Sequence, residues 1–166
     1  MKLDAGYDNE HMLFLLFKTG ADSYAIPADR VRKVVPSVPL RACPGAPEYV
    51  AGLFNYQGTV TPVVDLRRVL TGSASAPLLS TRIVLVSYAG HESKERLLGL
   101  MAESVTQTVR KESAEFSQPG LASKDAPFLG AISCDDGQMT QCIHIERLLP
   151  REIETMLFAE IGEGVS

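Results

Sequence analysis

Histidine, cysteine and glycine are the residues whose chemistry is most readable from spacing alone, and here their spacing argues against catalysis. His11, His91 and His144 fall near one end, in a loop and at a strand end. They make neither HExxH nor HxH, so no metal centre is expected. Cys43, Cys134 and Cys142 are an odd number without CxxC spacing. Neither a disulfide framework nor a thiolate zinc site follows, and the three read as small buried hydrophobes in a reducing compartment. Gly52 and Gly58 are not followed by Lys-Ser or Lys-Thr, so the phosphate-cradling loop of nucleotide hydrolases is absent, and no GxGxxG opens a helix. No GxSxG elbow occurs either, and Cys43 between Ala42 and Pro44 has no histidine partner motif. A protein without catalytic activity, cofactor or metal is expected.

The elements around these residues are short β-type runs closed by turn residues: Met12 to Lys18, Ser23 to Ile26, Val31 to Val38, Gly52 to Tyr56 and Val60 to Val64. Arg82 to Tyr88, Arg96 to Met101, Val105 to Arg110, Phe128 to Ser133 and Met139 to Ile145 continue the pattern. Strands of this length imply small barrels. Pro62, which cannot donate to a ladder, points to an edge or strand-start position. Thr71 to Pro77, Gly90 to Lys94 and Ser117 to Asp125 read as loops. Arg151 to Phe158 has the apolar spacing of a terminal helix at Ile153, Met156 and Leu157. Residues 1–10 and 159–166 are expected to fray.

The two halves also resemble each other. Gly52 leads through the turn at Gly58 and the strand to Val64 into Asp65-Leu66-Arg67-Arg68-Val69-Leu70. Gly130 leads through Gly137 and the strand to Ile143 into His144-Ile145-Glu146-Arg147-Leu148-Leu149. Each block is strand, glycine turn, strand and short helix, preceded by a hairpin region, Phe14 to Val35 or Ile83 to Val109. Asp65 stands where a helix begins and can accept from the free N–H groups of its first turn. Two related subdomains are expected, at about 12–71 and 80–150 with strand exchange allowed, followed by a helix at 151–158.

The chain has 166 residues, 45% of them hydrophobic, enough for a real core. A net charge of -4 and a pI near 5.4 disfavour a sequence-independent grip on nucleic acid, and the cluster Arg30, Arg32 and Lys33 is too small to reverse that. A small-barrel nucleic-acid binder remains the competing class, although Phe54 and Tyr56 lie in an uncharged strand and Trp is absent. The N-terminal stretch carries Asp4, Asp8 and Glu10 and lacks a signal core, and no apolar run is long enough to span a bilayer. A cytoplasmic binding module without membrane insertion is the expectation.

Particular stretches go further. Tyr24-Ala25-Ile26-Pro27, Val31 and Val34, Pro44 through Gly58, and Pro62-Val63-Val64-Asp65-Leu66-Arg67 resemble, in that order, the CheW family. The resemblance continues through Arg82 to Val86, Gly99-Leu100, Val105, Val109, Gly130 and Ile145 to Leu149, covering residues 12–150. It implies an all-β domain of two five-stranded SH3-like barrels packed together, with short connecting helices and a C-terminal helix. It also implies a scaffold coupling chemoreceptor cytoplasmic tips to the regulatory domain of a CheA-type histidine kinase. The family's receptor-contact strand maps onto Val31, Lys33 and Val34, and its Asn-x-Arg-Gly turn onto Asn55, Tyr56, Gln57 and Gly58. Position 33 often carries an acid in the family and position 57 an arginine, whereas this chain has Lys33 and Gln57. Glu103 stands where Asp is common. Loss of both charges together fits either a re-matched interface or drift at an exposed site. Regular alternation would put Val31 and Lys33 on one strand face. The stretches Leu79 to Arg82, Ala126 to Gly130 and Leu157-Phe158 resemble coupling proteins of Wsp-type arrays, whose output is a diguanylate cyclase response regulator.

Overall fold

The computed structural model describes residues 11–75, 80–92, 94–117, 126–135 and 137–164. The segment 1–10 and nearly all of the loop expected between Ser117 and Asp125 lie outside them. The strands are β1 (His11–Thr19), β2 (Asp22–Pro27), β3 (Val31–Pro36), β4 (Val50–Tyr56), β5 (Thr59–Asp65), β6 (Arg82–Tyr88), β7 (Arg96–Ala102), β8 (Gln107–Glu112), β9 (Phe116–Ser117), β10 (Leu129–Asp135) and β11 (Gln138–Ile143). Helix α1 spans Leu66–Thr71, and α2 spans Arg151–Gly164, running past the end at Phe158 that apolar spacing suggested.

The strands form two sheets. One is six-stranded, in the order β9-β10-β11-β2-β1-β8, and the other five-stranded, in the order β3-β6-β7-β5-β4. This is an all-β fold of two barrel-like subdomains, and the halves of the chain are interleaved between them. The hairpin β1–β2 sits in the sheet otherwise built from the second half, and the hairpin β6–β7 in the sheet otherwise built from the first. Each exchanged hairpin is joined on one side by a parallel seam, with Thr140 in register with Ser23 where β11 meets β2 and Val63 with Gly99 where β5 meets β7. On the other side the seam is antiparallel, β1 with β8 and β3 with β6. Matching contacts repeat at the block entrances, where Asp65 N–H donates to Tyr49 O and His144 N–H to Phe128 O, both at 2.7 Å.

Alternation along each strand divides the side chains between two apolar clusters. Leu15, Phe17, Ile26 and Ile143 from one sheet join Val64, Val84, Val86, Leu98 and Leu100 from the other in a shared core, closed by Leu157 and Phe158 of α2. The opposite face of the five-stranded sheet buries Val63, Ile83 and Leu85 under Val35, Phe54, Tyr56, Leu97 and Met101. Period-2 side chains on a sheet covered on both faces produce this split.

Two expectations are corrected. Pro62 lies on an interior strand, because β5 sits between β7 and β4. It is tolerated there because the parallel ladder to β7 starts only at Val63, one residue further on. The cysteines form no disulfide among the described residues, but they are not buried: Cys43 and Cys142 are half-buried and Cys134 is exposed. Cys134 faces Met139 across the β10–β11 hairpin, and Met139 is itself exposed.

Candidate partner-binding surface

The hairpin joining β4 to β5 is a two-residue turn. Tyr56 pairs with Thr59, leaving Gln57 and Gly58 at the tip with φ of 50° and 89°. Positive φ at both central positions is the type I′ geometry whose twist matches the flanking strands. Gly58 adopts it freely, whereas Gln57 is held there at a steric cost. Asn55 fixes the turn through its Oδ1, which accepts from Gly58 N–H at 2.7 Å.

Strand β3 follows a 3-10 turn, Ala28–Arg30, that carries the chain from one sheet to the other. Val31 registers with Val86 and Lys33 with Leu85, so Arg32 is an extra residue in a bulge. The bulge reverses the alternation. Val31 and Val34 lie opposite Val86 and Val84 on the shared-core face, while Lys33 and Val35 lie opposite Leu85 and Ile83 on the other. Val31 and Lys33 therefore do not share a face as regular alternation suggested. Lys33 and Val34 are both exposed. Nor is Lys33 a strand neighbour of the Gln57 turn, since β3 and β4 are at opposite ends of the sheet order.

Beside the Ala28–Arg30 turn lies an open groove of about 520 Å³, lined by Met12, Leu13, Ala28, Asp29 and Arg110. Leu13 is 47% exposed there. Across β3, Arg32 Nη2 reaches Glu95 Oε1 at 3.4 Å, and the Ser87 hydroxyl donates to the same carboxylate. That hydroxyl foremost, with the charges of Arg32 and Arg30, holds the Glu95 carboxyl below its usual range against a desolvation that opposes them. Leu13, Arg110 and Glu95 carried no signal in the sequence: the first two come together beside the Ala28–Arg30 turn through the pairing of β1 with β8, and Glu95 meets Arg32 because the β6–β7 hairpin enters the sheet of β3.

The residues with structural roles are deeper. Asp65 is buried and caps α1, its Oδ1 accepting from Arg67 N–H at 3.1 Å and its Oδ2 from Ser75 N–H at 2.9 Å. Its counterpart His144 makes no side-chain cap. Arg67 Nη1 donates to both carboxylate oxygens of buried Glu103, at 2.9 and 3.1 Å. Gly52 has φ of 151°, and a Cβ there would meet Arg41 O at 2.6 Å. At Gly130 a Cβ would meet His144 Nε2 at 2.8 Å, and Gly137 supplies a positive φ of 77° next to β11. His91 is exposed, as expected of a surface residue, and its backbone N–H also donates to Glu154 Oε1 at 3.0 Å.

A larger cleft, of about 730 Å³, lies where α1 and the Ile145–Arg147 turn approach each other, lined by Tyr24, Tyr49, Arg68, Phe128, Glu146 and Arg147 among others. Among the described residues, no Ser, Thr or Cys lines it. Its polar groups include His91, already engaged with Glu154, and Arg68, which faces Glu48 at 3.6 Å. Among the described residues, no helix is long and apolar enough to cross a membrane.

The class defined by these features is an all-β domain of two interleaved barrel-like sheets, with a bulged edge strand, a constrained hairpin tip and an open groove. Residues 13–152 match the CheW-like domain family. The chain is 24% identical to the chemotaxis protein CheW of Helicobacter pylori over 147 residues, 87% of this chain and 86% of that protein. It is 27% identical to the chemotaxis protein CheW of Bacillus subtilis over 140 residues, 83% of this chain and 86% of that one. The fold matches the crystal structure of the scaffolding protein TtCheW from Thermoanaerobacter tengcongensis with a TM-score of 0.74 at 21% identity, covering 88% of this chain and 92% of that one. The chain belongs to the CheW-like domain family.

Proposed function

We propose that the protein is a non-catalytic adaptor that couples the cytoplasmic tips of chemoreceptors to the regulatory domain of a CheA-type histidine kinase. The observation that carries this reading is the family match across residues 13–152. The β3 edge and the Asn55–Gly58 turn are the proposed contact elements, with Val31, Lys33, Val34, Asn55, Tyr56, Gln57 and Gly58 as the residues involved. The adaptor works in the cytoplasm, at receptor arrays, and needs no cofactor. Its mechanism is linkage: an adaptor that binds two receptor signalling states with different affinities biases the kinase equilibrium by that difference. Individually weak contacts suffice, because tethering in an array raises avidity by about 10² to 10⁴.

The finer reading places the protein in a Wsp-type array feeding a diguanylate cyclase response regulator, on the strength of the stretches Leu79 to Arg82, Ala126 to Gly130 and Leu157-Phe158. Both readings are tested by co-purification of the tagged protein with the receptors and kinases of its own organism. Retention of a CheA-type kinase and a receptor is expected, and a kinase encoded with a diguanylate cyclase regulator would select the Wsp-type reading. Recovery of neither partner would remove the proposal.

A further inference from the structure

We propose that the cleft between α1 and the Ile145–Arg147 turn binds a small organic carboxylate with an apolar body, a ligand the coupling reading neither needs nor supplies. The cleft volume, about 730 Å³, falls within the range of about 300–1,000 Å³ common to small-molecule sites. Its walls come from both subdomains. Tyr24 stands on β2 of the six-stranded sheet, whereas Val69 and Leu70 stand on α1, which follows β5 of the five-stranded one. Phe128, Leu148 and Leu149 extend a largely apolar lining. Sites of this kind bury an apolar body and fix its orientation through a few polar groups.

The polar groups left over in this lining are donors. Among the described residues, the hydroxyls of Tyr24 and Tyr49 make no hydrogen bond. Burial foremost raises both phenols above their ordinary range, with the charges of Asp22 at Tyr24 and Glu152 at Tyr49 adding to it, so both stay protonated. Arg68 donates from Nη1 to Gly72 O at 3.3 Å, but its Nε is buried without a partner. The Arg147 side chain is exposed and, among the described residues, has no carboxylate within 4.0 Å.

The acids around the cleft already stand against basic groups. Glu146 Oε1 lies 3.6 Å from His144 Nδ1, Glu48 Oε1 lies 3.6 Å from Arg68 Nη1, and His91 is held by Glu154 at 3.1 Å. Unpaired phenol and guanidinium donors call for an acceptor, and a carboxylate presents two oxygens in the geometry a guanidinium matches. Arg147 is the lining guanidinium with no acid beside it, so one negative charge on the ligand is matched.

The test uses the full chain with anilinonaphthalene sulfonate, a fluorescent amphiphilic anion, as reporter, displaced by naphthoate or by its uncharged amide. Saturable one-to-one reporter binding is expected, with naphthoate displacing it at about tenfold lower concentration than naphthamide. Naphthoate should also raise the melting midpoint as the cleft fills. Arg147→Gln should weaken naphthoate about tenfold and Tyr49→Phe about threefold, without lowering the melting midpoint of the free protein. Arg110→Gln, in the separate groove beside the Ala28–Arg30 turn, should leave naphthoate affinity unchanged. Equal displacement by acid and amide, or affinity indifferent to both Arg147→Gln and Tyr49→Phe, overturns the carboxylate site. So does reporter binding that fails to saturate, or that is lost in Arg110→Gln. Co-purification with receptor and kinase is a separate readout, so the coupling reading stands or falls independently of these results.

Discussion

The Tyr88 hydroxyl donates to Glu154 Oε2 at 2.8 Å, joining the end of β6 to the C-terminal helix through a buried contact. Glu154 is 6% exposed and also accepts from His91 N–H at 3.0 Å, with His91 Nδ1 at 3.1 Å. Nearby, Tyr88 stacks on Phe158 with ring centroids 5.9 Å apart, and Arg96 lies over the same Phe158 ring. The carboxylate thus orients the helix whose Leu157 and Phe158 close the shared core.

Glu154→Ala leaves the Tyr88 hydroxyl and the His91 amide without their acceptor and should cost about 2–3 kcal/mol in urea unfolding. Adding Tyr88→Phe should cost less than the sum of the two single changes, because it removes one orphaned donor. Strict additivity would show that the contact contributes nothing.

The same carboxyl has a pH signature. Desolvation pushes its pKa up, but hydrogen bonds from Tyr88 and His91 together with the His91 charge outweigh it and hold the carboxyl below the usual glutamate range. A depressed folded pKa gives stability that is present above the unfolded value, about 4.3, and is lost as pH falls through the folded one. The stability gap between wild type and Glu154→Gln should therefore shrink as pH falls below about 5. A gap that widens on acidification contradicts the assignment.

At the β4–β5 turn, Gln57 occupies left-handed backbone space. Gln57→Asn should raise stability by about 0.5–1 kcal/mol, since Asn tolerates that region, and Gln57→Val should lower it by about 1 kcal/mol or more. Thermal melts of the two variants moving in the same direction would refute the turn geometry.

Gly52→Ala places a Cβ against the Arg41 carbonyl, where β4 is bridged to the preceding loop. A cost of about 3 kcal/mol is expected, because the neighbour is backbone and cannot swing aside. Gly58→Ala, where a Cβ meets nothing within 4 Å, should cost only the φ penalty, about 1 kcal/mol. Equal losses at the two positions would show that crowding at Gly52 is relieved.

Much of the fold was legible because it is local. Strand positions follow from alternation and turn residues, and the paired blocks around Gly52 and Gly130 follow from internal similarity. What escaped was long-range. Nothing in β1–β2 or β6–β7 says which half of the chain will pair with it, so the exchange of hairpins could be allowed but not assigned. The bulge at Arg32 depends on register with β6, and so the faces of Val31 and Lys33 were misjudged. Pro62 looked like an edge residue because a strand's neighbours are invisible to its own sequence. Glu154 sits beside Ile153 and Met156, where an acid reads as solvent-facing until Tyr88 and His91 supply its donors. The candidate contact positions came from family resemblance, whereas the groove beside them needed the pairing of β1 with β8.

The exchange of hairpins has a consequence for how the molecule can come apart. Each sheet takes in a two-strand hairpin from the other half, held by a parallel seam on one side and an antiparallel seam on the other, so neither half of the chain holds a complete sheet of its own. Cut between the halves, the two pieces should each be unstructured and should rebuild the native sheets only on mixing, with a bimolecular rate. In the intact chain the two barrels should melt in a single transition. A partner gripping one barrel would then slow unfolding of both, and load applied at one contact would reach the other without passing through a hinge.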